Sequence, residues 1–506
     1  MTQVHSSRGF YVIAAAACEI PAETPVEMIL SWPREFLEKD ACFVGFMLFR
    51  NEIKQDTPKA LSLLRDGGCS LAMLTGDNVD TAIYIGWTSG MIKKGGPRQA
   101  PVIVVGDIID KELTWRNLDD NTDIGESVLS TLIQRSRRGF RPIEIAITGK
   151  AFKRLSSNGW LQQNLMEVRI FAGMKPDDKV KCVRLYMEKG ITAMCGDGGN
   201  DAGALKTAHS GIALSPDNNS SVVGHFSSTD SSIMTCVQLL KEGRCALDVS
   251  FASYRYLMLY GEITGFVGMV QYFYKTSVSQ ALYILIDITT IPLSWGISSA
   301  RPASKLANSR PTARLLGYET VSSVVGEMII HMIFMGIGIR GLFKQAFYKC
   351  HAFAPLSVDL SHWWELADNY EAALISIFII FQIFNSAAAI NIGSRYRQGS
   401  LKNWTFILIF VGCICLISYI ILADPNPLGC LFRINCGTKE SLLALGYTVN
   451  FKAPTVYHSE FGHNVFPRPF RNWIFGMCIL NLVILLAWEG LFIQGPVRRW
   501  AARKWK

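Results

Sequence analysis

The sequence predicts a fold in two parts: an α/β layer built on a parallel sheet over about the first 240 residues, then an all-α membrane domain of about six helices. Three observations lead to this. Short apolar runs alternate with amphipathic stretches from Met1 to about Leu240. Two of those runs end in Gly-Asp turns that lead into helical sequence, as strands of a layered sheet do. From about Phe251 the chain turns strongly apolar, in segments long enough to cross a bilayer.

In chain order, residues 9–17 (GFYVIAAAA) and 41–48 read as the first strands. Residues 57–65 place Ala60, Leu61 and Leu64 on one helical face, ahead of a strand at 71–74. Residues 101–105 and 143–147 are further strands. The stretch between about Asp110 and Arg141 is polar and irregular and reads as an insertion, and its Arg135, Arg137, Arg138 and Arg141 as a solvated basic face.

Chemistry concentrates in three places. Residues 194–215 read MCGDGGNDAGALKTAHSGIALS, with Asp197, Asn200 and Asp201 on a glycine-rich turn between a strand and a helix. Hard oxygen ligands and bare backbone amides suit Mg²⁺ and phosphate; a turn in which Asp only caps a helix is the alternative. Residues 73–82 (MLTGDNVDTA) repeat the arrangement, offering Thr75 and Gly76 to a phosphate oxygen and Asp77 and Asn78 as helix caps. Residues 171–179 (FAGMKPDDK) put Lys179 just beyond a strand.

About six segments reach spanning length, near 251–274, 280–298, 320–343, 371–393, 403–423 and 472–494. The second is short and carries Asp287 and Pro292. Arg301, Lys305, Arg310 and Arg314, then Arg395 and Arg397, then the tail Arg498, Arg499, Arg503, Lys504 and Lys506 mark one side as cytoplasmic, and the α/β part lies with them. Glu327 and His331 in the third span read as packing or interfacial polar residues, and Trp295, Trp404 and Trp473 as interface anchors. Hydrophobic residues make up 49% of 506 residues, and the formal charge of +9 suits a membrane face rather than nucleic acid. Thirteen scattered cysteines without a CxxC pair give zinc no support, while Cys430 and Cys436 are open to bridging or to remaining thiols. The first ten residues lack the pattern of a signal peptide. Asn403 carries a glycosylation pattern on the cytoplasmic side and is rejected, as are Asn218 and Asn219.

In order, TGDN, the P-x-x-K element and GDGxND resemble the haloacid-dehalogenase-like (HAD-like) phosphorylation domain of P-type ATPases. The passages 201–227, 242–247 (EGRCAL), 283–287 (YILID) and 301–311 (RPASKLANSRP) are most similar to the P5 subfamily. Within it the resemblance leans to the B branch, associated with late endosomes, lysosomes or vacuoles and with polyamine export. The A branch, a dislocase of the endoplasmic reticulum, is the alternative. The resemblance implies domains at 1–33 (end of a nucleotide-binding domain), 34–240 (phosphorylation domain) and 241–506 (the fifth to tenth membrane helices). It also implies ATP and Mg²⁺ as cofactors, and a cationic cargo, a polyamine or a metal cation, moved across a lipid bilayer.

Carried onto matching positions, the resemblance makes Asp197 and Asp201 the Mg²⁺ residues and Asn200 with Asp201 the phosphate-site network. Lys179 would neutralise the transferring phosphoryl group, Thr75 and Gly76 would hydrogen-bond its oxygens, and Asp77 would support the loop. Asp287 and Tyr260 match residues that meet cargo, whereas Thr264 replaces an expected glutamine. For Asp287 the alternative is a buried structural acid. There are departures. The sequence contains no DKTG, which would hold the phosphorylated aspartate, and no actuator TGE motif. Tyr11 and Gly173 stand where relatives carry Arg. The chain is therefore expected to be the C-terminal part of a longer ATPase, inactive alone. A tethered phosphohydrolase and an inactive binding protein are the competing classes.

Overall fold

The computed structural model describes all residues except 1–4, 6–7, 22, 51, 93–99, 198, 217–222, 351–365, 460 and 501–506. Asn218, Asn219, Arg503, Lys504 and Lys506, all named above, and Gly198 of the stretch 194–215 lie outside the described residues. The chain divides into two compact units, Met1–Leu240 and Lys241–Lys506.

The first unit is a mixed α/β layer. Strands β1 (Tyr11–Ala17) and β2 (Cys42–Phe49) form an antiparallel pair. A six-stranded sheet follows in the order β3-β8-β7-β4-β5-β6, built from Met73–Leu74, Val168–Ala172, Ile143–Thr148, Val102–Ile109, Glu112–Asn117 and Asp123–Ile124. Its first four strands run parallel and its last two antiparallel. A three-stranded parallel sheet holds β11 (Phe226–Ser228), β10 (Ser210–Leu214) and β9 (Ala193–Gly196), in that order. Strands β7 and β8 are covered on both faces: Ile145, Ile147 and Phe171 pack with Phe152 and Leu155 of one flanking helix, and Ile170 packs with Ala82 and Ile83 on the other side.

Among the described residues, β3 pairs only with β8 and β9 only with β10. The two strands that lead into the Gly-Asp turns are thus both sheet edges. Leu74 of β3 nevertheless packs into the apolar cluster of Met194, Leu205 and Val183 beside β9.

The stretch near 110–141 is ordered secondary structure, not an irregular insertion. Asp110 and Lys111 both adopt positive φ (48° and 70°), which closes a tight hairpin between β4 and β5. Helix α1 (Glu126–Arg137) buries Leu129 and Ile133, one turn apart, under the sheet. The polar residues around them mask this sparse pattern. Arg137 and Arg141 pair with Glu167 and Asp119 at 3.0 and 3.2 Å, on the surface.

The second unit is helical. Among the described residues, five helices are long and apolar enough to cross a membrane: α3 (Gln280–Ser298), α4 (Tyr318–Phe343), α5 (Tyr370–Ile390), α6 (Trp404–Leu422) and the long helix Arg468–Trp500. Helix α5 is the hub, buried over its whole length. Segment 251–274 lies within α2 (Met234–Tyr274) but does not join the five, because Arg255, Glu262 and Gln271 dilute its apolar content. Cys430 and Cys436 form a disulfide. Asn403 is buried and caps α6 by accepting the Phe406 N–H.

Candidate functional site

The first group of site residues gathers where parallel strands end. After β3, Thr75 donates its hydroxyl to Asp77 Oδ2 at 3.0 Å, and its Oγ1 accepts the Asp77 N–H at 3.2 Å. The turn is fastened to the end of β8 by main-chain bonds: Gly173 N donates to Asp77 O (2.7 Å), and Met174 N to Thr75 O (2.9 Å). Asn78 alone caps the next helix, Val79–Thr88, by accepting the Thr81 N–H. Asp77 does not cap it; its carboxylate is taken up by Thr75 and by the Tyr11 hydroxyl, which donates to Oδ2 at 2.8 Å. Burial, then the hydrogen bond to Asp77, pushes the Tyr11 phenol up to about 12. Gly76 is exposed.

The second group sits across the β8–helix junction. Pro176 opens helix Pro176–Lys189, where the missing N–H costs nothing, and Lys179 lies in its first turn. Lys179 is buried and its Nζ donates to Asp201 Oδ1 at 2.7 Å. Asp201 comes close because residue 196 is glycine: a Cβ there would lie 2.8 Å from Asp201 Oδ2. Gly149 likewise admits the β8 turn, since its Cβ would meet Gly173 O at 2.3 Å.

Asp197 is exposed, with Oδ1 accepting the Gly199 N–H at 3.3 Å, and Asn200 is exposed. Among the described residues no group of three or more His, Cys, Asp or Glu gathers to hold a metal ion. The donor set fits Mg²⁺ in its usual mode, one or two carboxylates with phosphate oxygens and waters supplying the rest. Asp197 is the open carboxylate, whereas Asp201 is engaged by Lys179.

The third group is in the helical unit. Tyr260 on α2 donates to Asp287 Oδ1 on α3 at 2.5 Å. Asp287 is exposed in this chain. Thr264 spends its hydroxyl on its own helix, donating to Tyr260 O (2.8 Å) or Gly261 O (3.0 Å). Glu262 is exposed.

No family model matches the chain. Over 455 residues it is 27% identical to the probable cation-transporting ATPase 13A4 of Mus musculus, covering 83% of this chain and 37% of that relative. Over 464 residues it is 27% identical to the polyamine-transporting ATPase 13A3 of Macaca fascicularis (85% and 37%). Over 468 residues it is 27% identical to the polyamine-transporting ATPase 13A2 of Homo sapiens (89% and 38%). The chain is a homologue of the P5-type ATPases. It spans less than two fifths of the length of the curated relatives it matches.

Two features of this P5-type homologue escape a reading of the sequence. Tyr11 stands out there only as a replacement for Arg, while its role as partner of Asp77 is set by tertiary contact across 66 residues. Glu327 and His331 are wholly buried rather than interfacial, among polar groups brought from other helices. Nothing in their local spacing announces those partners.

Proposed function

We propose that the chain forms the C-terminal working part of a P5-type transport ATPase, in which an aspartyl phosphate drives export of a cationic cargo. Residues 34–240 serve as the HAD-like phosphorylation domain and 1–33 as the end of the nucleotide-binding domain. Residues 241–506 serve as six membrane helices, with 251–274 the sixth span.

One observation carries the reading. The Thr75–Asp77 turn, Lys179 and the 197–201 turn all follow the C-terminal ends of parallel strands, where α/β sheets bind phosphates. The unpaired edges of β3 and β9 leave room for a strand carrying the aspartate, from the part of the relatives that this chain does not cover. Lys179, held by Asp201, offers a fixed positive charge to a phosphoryl group, and Thr75 and the Gly76 amide offer hydrogen bonds. When bound, Mg²⁺ supplies further charge neutralisation, with Asp197 as its protein ligand. Phosphoryl transfer depends mainly on such positioning and charge, so these residues act without covalent chemistry of their own.

The names of the relatives and the Tyr260–Asp287 pair support a polyamine as cargo. An aspartate turned to lipid near the bilayer centre costs about 3 kcal/mol. The exposed α2–α3 face is therefore read as a wall of the cargo path, covered by further helices. A late endosomal, lysosomal or vacuolar membrane fits that cargo.

The test is a chimera that joins this chain to the part of the 13A2 relative it does not align with, reconstituted in liposomes. ATP-dependent uptake of labelled spermidine, lost in Lys179→Met, is the expected result. ATP turnover without spermidine uptake would remove polyamine as cargo.

A further inference from the structure

The helical unit contains one buried acid that its surroundings leave unserved. Ser323, Glu327 and His331 recur every four residues on α4, so they share one face, and all three are wholly buried. The ends of this stripe are satisfied. Ser323 Oγ accepts from Arg255 at 3.0 Å, and His331 Nε2 shares a hydrogen bond with Ser386 Oγ at 2.8 Å. Among the described residues, Glu327, between them, has no hydrogen-bond partner on either carboxyl oxygen. It faces Ser386 of α5 and Glu489 of the last helix. Glu489 accepts from Arg255 at 3.0 Å through Oε2, while its Oε1 and the nearby Gln382 Oε1 also have no partner.

Charge gives the same answer. Around this seam Arg255 pairs with Glu489 at 3.0 Å, Arg397 with Asp248 at 3.0 Å, and Arg498 with Glu319 at 2.9 Å. The titratable groups facing Glu327 are Arg255 from α2, His331 from α4 itself, and Glu489 from the last helix; α5 presents the neutral Ser386 and Gln382. Each cation is matched by one carboxylate, and Glu327 is left over. An ionised Glu327 would be a bare, uncompensated charge inside a membrane-spanning helix bundle, which costs several kcal/mol. One hydrogen on it removes the charge and supplies the donor that its acceptor neighbours lack.

We propose that Glu327 and Glu489 together hold one exchangeable proton, forming a proton-binding site inside the membrane unit. A cavity of about 30 Å³, large enough for water, is lined by Arg255, Glu489, Asp248, Glu319, Arg397 and Arg498, so that water reaches the site through Glu489. Loading is a simple transfer: a hydronium ion in the cavity gives its proton to a carboxylate oxygen and leaves as water, and release reverses this. The site is separate from the Tyr260–Asp287 pair and does not rest on the transport reading.

Infrared difference spectroscopy of the full chain in lipid nanodiscs tests it without any turnover. At neutral pH the wild type should show one protonated-carboxyl C=O band that shifts down in D₂O. Glu327→Gln should abolish it, and Asp287→Asn should leave it in place. Glu489→Gln should also remove it, because Arg255 would then pair with an ionised Glu327. Should Glu327→Gln fail to fold, Glu327→Asp must displace the band. A spectrum without such a band, or one unmoved by both Glu327 variants, overturns the proposal. So does a band that appears only when sodium and potassium are withdrawn, which would make this a metal-cation site. A band retained in Glu489→Gln overturns the sharing.

Discussion

Lys179 donates its ammonium to Asp201 across 2.7 Å, and both side chains are almost wholly shielded from water. Neither can lose its partner without leaving a buried charge. Lys179→Met is therefore expected to cost about 3 kcal/mol, as removal of one member of a buried pair does. For a unit of this size that is roughly 6–12 °C in Tm. Thermal unfolding of the purified chain measures it. An unchanged Tm would mean that the pair is not formed in solution.

Gly196 makes that pair possible, so Gly196→Ala should break it. The added methyl would stand 2.8 Å from Asp201 Oδ2 and 3.1 Å from its Cβ, too close for either to stay. The expected loss is about 1–3 kcal/mol, typical of overpacking. Gly190→Ala is the control, since its Cβ meets nothing within 4 Å and its backbone is extended (φ 168°). It should change stability by less than about 0.5 kcal/mol. Equal Tm values for the two variants would contradict this.

Tyr11 should titrate late. Its phenol is raised from 10.0 to about 12 by burial and by the hydrogen bond to Asp77. The neutral form is the one the fold favours. Its contribution is therefore complete below pH 10.0 and is lost as the pH rises through about 12. The difference in tyrosinate absorbance between wild type and Tyr11→Phe should show one residue ionising near the upper value. A difference curve centred near 10.0 would mean that Tyr11 does not bond Asp77 in solution.

Asp287→Asn should leave the stability of the chain almost unchanged, because the carboxylate is exposed. In the spermidine-transporting chimera the same variant should weaken apparent cargo affinity about 30-fold, the worth of about 2 kcal/mol for a lost charged hydrogen bond. Tyr260→Phe, which keeps the charge but frees it, should weaken it less. Spermidine-dependent ATP turnover gives both values. Identical affinities for wild type and Asp287→Asn would remove this pair from the cargo path.

The parts of the molecule legible in the sequence are those where chemistry fixes residue types. TGDN, Lys179 and GDGxND stand out because phosphate and Mg²⁺ admit few alternatives to Gly, Asp and Lys at a strand end. The membrane helices stand out because a bilayer demands length. Residues near 110–141 were illegible because Leu129 and Ile133, helped by the half-buried Leu132, carry the inner face of a helix whose other positions are mostly polar. The hairpin before it depends on positive φ at Asp110 and Lys111, which those residue types permit without announcing. The Arg255–Glu489 pair joins positions 234 apart, and Tyr11 finds Asp77 across 66, so no local pattern could reveal either. Spacing alone left Cys430 and Cys436 undecided; the short helix Pro427–Leu431 and the turn after it, with Arg433 and Asn435 at positive φ, bring them to 4.8 Å between Cα atoms.

Phosphoenzyme formation by the chimera is the most direct measurement of whether this chain supplies a working phosphorylation site. With radiolabelled γ-phosphate of ATP and Mg²⁺, the chimera should form an acid-stable, hydroxylamine-sensitive phosphoprotein. Lys179→Met and Asp197→Asn should each suppress it while the chimera still inserts into membranes. A folded, inserted chimera that takes up no label, beside a parent relative that does, would show that Thr75, Lys179 and the 197–201 turn no longer form such a site.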